Sequence, residues 1–346
     1  MSCRHELRTS NFRVPRLTVA WGPADAGGHK LMRALVVEGP GITLAEVPAP
    51  RYDGECLVRV RRSGICGTDL QLLDGYAGFS GIPGHEFVGL VEAVSSPADE
   101  PWLGRRVVGE INVGCGRCAR CRRGEKEHCA DRTVTGIRGR SGAFAELLAL
   151  PASNLHEVPA SMDDETAVFV EPTAAACRIL EQLPIERPNR IAVVGDGRMG
   201  LLVAQVLRTA APDVTILGRH EHKLEIARSL GLTAERADSR QDRFDIVVDV
   251  TGRPDGLGQS LELVRPRGTV VVKSTFHGEA AFAPWPIVVN EITVIGSRCG
   301  PFRRGIELLA SGAVQVRPLV SAVYPLHEHE TAFARARGAL KVIFSM

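Results

Sequence analysis

The sequence predicts an α/β protein in which a β-rich, barrel-like domain is followed by a doubly wound parallel sheet. Short runs rich in Val, Leu and Phe, separated by Gly and Pro at close intervals, occupy residues 32–159 and are typical of a compact β domain. After Ser161, apolar strands alternate with amphipathic helices, which is the pattern of a parallel sheet covered by helices on both faces. A chain of 346 residues is long enough for two such domains.

The β-rich part begins with a predicted strand at residues 32–37, and further strands are predicted at 56–60 and 87–91. Residues 1–31 contain Gly-Gly and several arginines, and they show neither the period of a strand nor that of a helix. We therefore expect residues 1–31 to form a disordered extension before the first domain.

The alternating part begins with a predicted helix at residues 163–183. It continues with strands at 191–194, 214–217, 246–249, 269–273 and 292–295, and with helices at 199–209, 221–230 and 257–264. Beyond Cys299 the sequence predicts one more helix and a few short segments, which are too few for a third domain. We expect this tail to fold back on the first domain.

Composition excludes several classes of partner. The net charge of +2 comes from 42 basic and 40 acidic residues that are interleaved along the chain, so no long field of one sign is present to bind nucleic acid. No apolar run approaches the ~18 residues needed to cross a bilayer, and the first thirty residues lack the apolar core of a secretory signal. We therefore expect a cytoplasmic protein with no membrane partner, whose nine cysteines are thiols or metal ligands rather than disulfides.

Four cysteines lie close together in the order C-x2-C-x2-C-x7-C, namely Cys115, Cys118, Cys121 and Cys129. Four thiolates at this spacing complete a tetrahedral shell around zinc and leave no position for a substrate, so we predict a structural zinc site. The alternatives are a group of unliganded thiols or a zinc ribbon that binds nucleic acid, which the neighbouring arginines would favour. The isolated Cys56, Cys177 and Cys299 are predicted to be packing residues.

A second group of metal-ligand residues is spread over three short segments. Gly64–Asp69 contains Cys66, Gly84–Glu86 contains His85 and Glu86, and Glu171 precedes Pro172 at the predicted domain junction. A catalytic zinc needs three protein ligands and one open position, and these residue types can supply them. The sequence therefore predicts an open zinc site in addition to the closed one.

A glycine-rich turn joins a predicted strand to a predicted helix at Gly195–Gly200, which reads G-D-G-R-M-G. In this setting the first glycine forms the turn, the second admits a diphosphate and the third lets the helix pack against the strand. The helix N-terminus faces the anion, so the predicted cofactor-binding residues are Gly195, Gly197, Arg198, Met199 and Gly200.

The end of the next predicted strand bears on the choice of dinucleotide. An NAD site usually carries an acidic residue there, whereas this chain has Gly218 followed by Arg219. The small residue leaves room for a 2′-phosphate and the guanidinium can bind it, so the sequence favours NADP over NAD. The alternative is that Arg219 is a solvated surface residue and that NAD binds without a carboxylate.

Taken in order, these motifs resemble the zinc-containing medium-chain dehydrogenase family, which includes the alcohol dehydrogenases. The similarity covers residues 32–346 and is greatest to the sorbitol and threonine dehydrogenase branches. It implies a GroES-like catalytic zinc domain at 32–172 and 299–346, with a Rossmann domain at 173–298 between the two segments.

The same resemblance assigns roles to individual residues. It implies that Cys66, His85 and one of Glu86 and Glu171 bind the catalytic zinc. Thr68 is then the hydroxyl that takes the substrate proton, and Asp69 orients the ring of His85. Many relatives have a histidine where this chain has Gln71, so the outer end of the proton path differs here.

We therefore expect a dehydrogenase with two zinc ions per chain that transfers a hydride between an alcohol or polyol and NAD(P), in a homodimer or homotetramer. One alternative is a zinc-free reductase of the same fold that reduces activated alkenes or quinones with NADPH. Another is a zinc-stabilised protein that binds the nucleotide without turnover.

Overall fold

The computed structural model describes residues 30–39, 41–75, 78–239, 243–276, 279–280 and 282–346. The predicted extension at 1–31 lies outside these residues except for its last two positions. The strands are β1 (Leu31–Val36), β2 (Thr43–Pro48), β3 (Cys56–Gly64), β4 (Glu86–Val94), β5 (Arg106–Gly109), β6 (Asn112–Val113), β7 (Thr133–Thr135), β8 (Gly139–Arg140), β9 (Leu147–Leu150), β10 (Leu155–Glu157), β11 (Ile191–Val194), β12 (Val214–Gly218), β13 (Thr233–Arg236), β14 (Phe244–Asp249), β15 (Val264–Val272), β16 (Thr293–Gly296), β17 (Val320–Pro325) and β18 (Lys341–Ser345). The helices are α1 (Gly67–Leu73), α2 (Ala119–Arg122), α3 (Asp164–Ala167), α4 (Val170–Gln182), α5 (Arg198–Arg208), α6 (Glu221–Ser229), α7 (Gly256–Leu263), α8 (Trp285–Val289), α9 (Phe302–Ala310) and α10 (His329–Ala336).

The first large sheet combines strands from both ends of the chain. Its order is β10-β5-β4-β3-β18-β17, and β9 also pairs with β3. The central strand β3 is long and mostly buried on alternate residues, as expected for a strand that packs one face on a core. Because β18 lies beside β3, the C-terminal residues contact the loops that leave β3 and enter β4.

The second large sheet has six parallel strands in the order β13-β12-β11-β14-β15-β16. The order reverses between β11 and β14, and a ligand crevice opens at the carboxyl ends of the strands at such a reversal. The strands of the sheet centre are apolar and buried throughout, because helices cover both faces of the sheet. The predicted doubly wound sheet is confirmed.

Helix α4 connects the two sheets. Pro172 lies in its first turn, where a missing N–H removes no intrahelical hydrogen bond, so Glu171 is held at the start of the helix. The helix packs between α5 and α9, and its buried residues belong to the largest core cluster. It also runs through the predicted domain boundary at Pro172.

Several predicted elements differ from the structure in length or number. The predicted helix at 163–183 is divided into α3 and α4, and the buried Val168 and Phe169 form the turn between them. The tail has two helices, α9 and α10, instead of the one predicted. Helix α10 was missed because it has only eight residues and buries just Ala332 and Phe333. The short strand β13, which buries Ala234, was also not predicted. No helix in the described part of the chain is both long and apolar enough to cross a membrane.

Candidate active site

Asp69 joins the two loops that carry the predicted zinc ligands. Cys66 is the N-cap of α1, and its backbone N–H donates to Oδ2 of Asp69 at 2.8 Å. The other carboxylate oxygen accepts the backbone N–H of Gly84 at 3.3 Å and lies 3.4 Å from Nδ1 of His85. Asp69 has no exposed surface, so its carboxylate holds the Cys66 loop and the His85 loop at a constant separation.

The side chains of Cys66, His85 and Glu86 come together beneath these loops. Their ligand atoms all lie within 4.8 Å of one another, and His85 and Glu86 are buried. Oε1 of Glu86 has no hydrogen-bond partner within the described part of the chain, whereas Nδ1 of His85 lies beside the carboxylate of Asp69. Unpaired buried polar atoms are costly, and a thiol, an imidazole and a carboxylate are a donor set that zinc binds, so these residues fit a zinc ion.

The charges of this group also suit a metal. Burial raises the pKa of the Cys66 thiol, but the charge and hydrogen bond of His85, together with the charge of Arg198, outweigh it and lower the pKa to about 6. Burial lowers the pKa of His85, and the neighbouring Asp69 and Cys66 charges reverse this and raise it well above its usual value. The charges of His85 and Arg198 thus favour the thiolate of Cys66, which is the form of cysteine that binds zinc.

Lys341 compensates the charge of Glu86. It lies on β18 without exposed surface and donates from Nζ to Oε2 of Glu86, with its ammonium 5.3 Å from the ring centroid of Phe169. Gly64 packs against this pair: a Cβ there would lie 2.8 Å from Oε2 of Glu86. Sequence reasoning missed Lys341, because a single lysine in a strand is ordinarily a surface residue and its partner is 255 positions away.

Glu171 approaches the same region from α4 but lies outside the group of three. Burial raises its pKa to about 7. Its side chain lines a cavity of about 210 Å³. The structure therefore groups Glu86, rather than Glu171, with Cys66 and His85.

This cavity has a polar wall formed by residues that the sequence did not single out. The buried Asn112 donates from Nδ2 to Sγ of Cys299 at 3.2 Å and accepts from Arg298 at 3.0 Å. Arg178 lines the same cavity. The predicted packing role is confirmed for Cys56 and Cys177, which are buried, but it is wrong for Cys299, which is half-buried and faces the cavity.

The residues predicted for proton transfer lie on α1. The half-buried Thr68 has its hydroxyl oxygen 3.8 Å from Sγ of Cys66. Gln71, one turn further on, donates from its amide to the backbone oxygen of Thr275 at 3.3 Å. Since Thr275 follows β15, this contact spans the cleft between the first sheet and the carboxyl edge of the parallel sheet.

The four-cysteine segment forms a compact loop that includes α2. The sulfur atoms of Cys115, Cys118, Cys121 and Cys129 all lie within 4.8 Å of one another. Sγ of Cys118 lies 3.8 Å from Sγ of Cys129. Two sulfurs of a tetrahedral zinc site with Zn–S bonds of about 2.3 Å are about 3.8 Å apart, so this spacing fits zinc and is far too long for a disulfide.

The glycine-rich turn adopts the form that its sequence predicts. Gly195 has φ of +123°, and a Cβ at Gly200 would lie 1.9 Å from the backbone oxygen of Gly195, so neither position tolerates a side chain. A Cβ at Gly197 would face open space. The turn lines a cavity of about 270 Å³ at the carboxyl edge of the parallel sheet, which is the position of a bound dinucleotide.

Asp196 determines the shape of the neighbouring strand end. Its Oδ2 accepts the backbone N–H groups of Arg219 and His220 at 2.6 and 2.7 Å, and its Oδ1 lies 3.0 Å from Nδ1 of His220. A Cβ at Gly218 would lie 2.5 Å from this carboxylate. The carboxylate of Asp196 is thus already occupied by protein donors, while Arg219 lines the same cavity.

Two family models match the chain. The alcohol dehydrogenase GroES-like domain matches residues 52–160, and the zinc-binding dehydrogenase domain matches residues 199–311. Among curated proteins, L-threonine 3-dehydrogenase of Streptomyces coelicolor is 32% identical over 333 residues, which are 88% of this chain and 96% of that protein. The erythritol/L-threitol dehydrogenase of Mycolicibacterium smegmatis is 31% identical over 335 residues, which are 86% of this chain and 92% of that protein.

Solved structures of dehydrogenases are also similar to this chain. A zinc-binding dehydrogenase from Sinorhizobium meliloti 1021 bound to NADP superposes with a TM-score of 0.83 at 29% identity, over 92% of this chain and 100% of that one. The alcohol dehydrogenase TADH from Thermus sp. ATN1 superposes with a TM-score of 0.79 at 31% identity, over 91% of this chain and 99% of that one.

Proposed function

The chain belongs to the zinc-containing medium-chain alcohol dehydrogenase family, and we propose that it transfers a hydride between a polyol and NADP. The observation that carries the proposal is the buried group of Cys66, His85 and Glu86, whose ligand atoms lie within 4.8 Å of one another. A zinc-free reductase would have no use for this group. A protein that only binds the nucleotide would not need a second metal site beside a cleft.

In the proposed reaction, Cys66, His85 and Glu86 would hold a zinc ion, and Glu171 lies on α4 nearby. Zinc bound there would supply a Lewis acid that stabilises negative charge on the substrate oxygen while the carbinol hydrogen leaves as hydride to the nicotinamide. Thr68 accepts the hydroxyl proton of the substrate. Asp69 orients His85 through the 3.4 Å contact at Nδ1. The Thr68 hydroxyl would give up its own proton in exchange, and Gln71 cannot be the final acceptor because its side chain has no titratable group.

We assign the substrate to the polyols because of the cavity beside Glu171. Simple alkyl alcohols favour apolar pockets, whereas the lining of this cavity includes the polar or charged Asn112, Arg178 and Glu110. The relatives named above, which act on threonine or on erythritol and L-threitol, also have substrates with more than one polar group.

The preference for NADP rests on the arrangement around Gly218. An acidic side chain at this position, as NAD sites carry, would collide with Asp196. The carboxylate of Asp196 already accepts the backbone N–H groups of Arg219 and His220. The guanidinium of Arg219 contacts Asp255 at 3.4 Å, with side-chain exposures of 47% and 44%, so it remains accessible to a 2′-phosphate.

We further propose that the four-cysteine loop holds a structural zinc and that the chain forms a homodimer through β16. This strand is the edge of the parallel sheet, and edge strands expose unpaired backbone groups. The adjoining α8 exposes Trp285, Val288 and Val289 by 62%, 77% and 69%. Light scattering on the wild type and on Val288→Asp tests this: a dimer that becomes a monomer supports it, and an unchanged mass contradicts it.

Turnover assays test the proposed activity. Purified protein is supplied with NADP or NAD and a panel of polyols, amino alcohols and alkyl alcohols, and the reduced dinucleotide is followed by absorbance. We expect oxidation of polyols, loss of activity in Cys66→Ala and retained activity in the control Cys56→Ala, which removes a buried thiol of β3. Equal turnover by the two variants would refute the assignment.

A further inference from the structure

Arg198 reaches from the dinucleotide turn into the other sheet. It is the first residue of α5 and follows Gly197. Its Nη1 donates to the backbone oxygen of Ile65 at 3.1 Å and to that of Leu340 at 3.0 Å. The guanidinium therefore hydrogen-bonds to two segments that are far apart in sequence and belong to the zinc-binding half of the molecule.

Both acceptors are adjacent to members of the zinc group. Ile65 precedes Cys66, and Leu340 precedes Lys341, which donates to Glu86. Ile65 and Leu340 are only 2% and 6% exposed, and the backbone N–H of Ile65 donates to Val342 at 2.9 Å. A displacement of the Arg198 side chain would therefore move the backbone beside Cys66 and the backbone beside Lys341, the partner of Glu86.

The same side chain also has unmet hydrogen-bonding capacity. Nε of Arg198 is buried and has no partner within the described residues. Its charge contributes to the lowered pKa of Cys66. A diphosphate at this helix N-terminus would be held by backbone N–H groups of the turn that Arg198 adjoins, and Gly197 leaves the space there open.

We propose that Arg198 is a positioning residue that couples occupancy of the dinucleotide turn to the geometry of the catalytic zinc site. The proposal rests on the proposed function, because it requires both ligands. When a diphosphate holds the start of α5, Arg198 fixes Ile65 and Leu340, and through them Cys66 and the pair of Lys341 with Glu86. By linkage, a metal at the zinc site must then strengthen binding at the turn by the same factor.

The experiment measures this factor with ADP-ribose and its 2′-phosphate, which lack the nicotinamide ring and so cannot contact the zinc through it. The dissociation constant of the tighter probe is measured calorimetrically for protein with cobalt(II) in the catalytic site and for protein with that site emptied. Absorption of the cobalt–thiolate charge-transfer band is recorded with and without the probe. The variants are Arg198→Met, Arg198→Lys and the control Arg208→Met, which removes a guanidinium that donates to Leu230 and Gly231 inside the parallel-sheet half.

In the wild type, and equally in Arg208→Met, we expect the probe to bind at least about 5-fold more tightly when cobalt occupies the catalytic site than when that site is empty. We also expect the probe to shift the cobalt–thiolate band in both proteins. In Arg198→Met the ratio of the two dissociation constants should fall to about one, and the probe should no longer shift the cobalt band. Arg198→Lys keeps the charge but loses the planar guanidinium, so its ratio should lie between those of the wild type and Arg198→Met. If Arg198→Met does not fold, the reduced ratio of Arg198→Lys carries the test.

An unchanged ratio in the Arg198 variants, or the absence of coupling in the wild type, overturns the proposal. These results differ from a failure of the proposed function, in which the wild type would neither bind cobalt at Cys66 nor oxidise an alcohol.

Discussion

Replacing Lys341 by Met should destabilise the metal-free protein severely. Lys341 and Glu86 are 0% and 1% exposed, so the substitution leaves a buried carboxylate without its counter-charge. Removing one partner of a buried ion pair costs about 3–5 kcal/mol. The control is Arg337→Met, which breaks the pair of Arg337 with Asp74; those side chains are 55% and 57% exposed, so the cost is at most about 1 kcal/mol.

Urea unfolding of the metal-free proteins, followed by circular dichroism, measures both losses. Combining Lys341→Met with Glu86→Gln removes the uncompensated charge, so the double variant should be more stable than Lys341→Met alone. Bound zinc offers Glu86 a second counter-charge, and the loss should therefore be smaller in the zinc-loaded protein. A loss below about 1 kcal/mol for metal-free Lys341→Met, similar to that of Arg337→Met, would refute the reasoning.

Three further predictions concern cofactor choice, metal binding and pH. Arg219→Gln should raise KM for NADP about 10- to 100-fold, because a charge-assisted contact to the 2′-phosphate is lost, and should leave KM for NAD nearly unchanged. Equal effects on both KM values, or an equal effect of the control Arg208→Gln on KM for NADP, would contradict the proposed contact. Glu86→Gln should lower the zinc affinity of the catalytic site more than Glu171→Gln does, because only Glu86 has a ligand atom within 4.8 Å of those of Cys66 and His85. Chelator competition measures both affinities, and the reverse order would make Glu171 the ligand. Burial lowers the pKa of Lys273 to about 8 in the folded protein, from 10.5 as the ordinary value. Between these two pH values the unfolded chain binds more protons than the folded protein, so the free energy of unfolding should rise with pH from about 8 to 10.5. Lys273→Met should remove this rise in urea titrations, and an identical pH profile for the variant would show that Lys273 is not the source.

Much of the fold follows from local patterns in the sequence. The strands β11 and β12 are short, mostly apolar runs bounded by charged or turn residues, and such runs are typical of the buried strands of parallel sheets. The turn at Gly195–Gly200 was identifiable because its glycines, the preceding strand and the following helix are consecutive. Elements that bury one or two residues, such as β13 and α10, carry too weak a periodicity to be recognised.

The site was predictable only where its residues lie in compact motifs. Cys66, Asp69 and His85 fall within twenty positions of one another, and the chemistry of zinc restricts the residue types. Lys341 and Asn112 act through partners more than 180 positions away, so no local pattern reveals them. The side chain of Asp196 fills the space beside Gly218 in which a larger residue would need room. This contact depends on tertiary packing, because it forms only when the turn and the strand end lie side by side.

The proposed activity requires one zinc ion shared by Cys66 and His85, and an anomalous-difference map collected at the zinc absorption edge tests this directly. We predict a peak about 2.3 Å from Sγ of Cys66 and about 2.0–2.1 Å from a ring nitrogen of His85, in addition to the peak within the four-cysteine loop. Zinc confined to the four-cysteine loop in crystals grown with excess zinc would contradict the central claim.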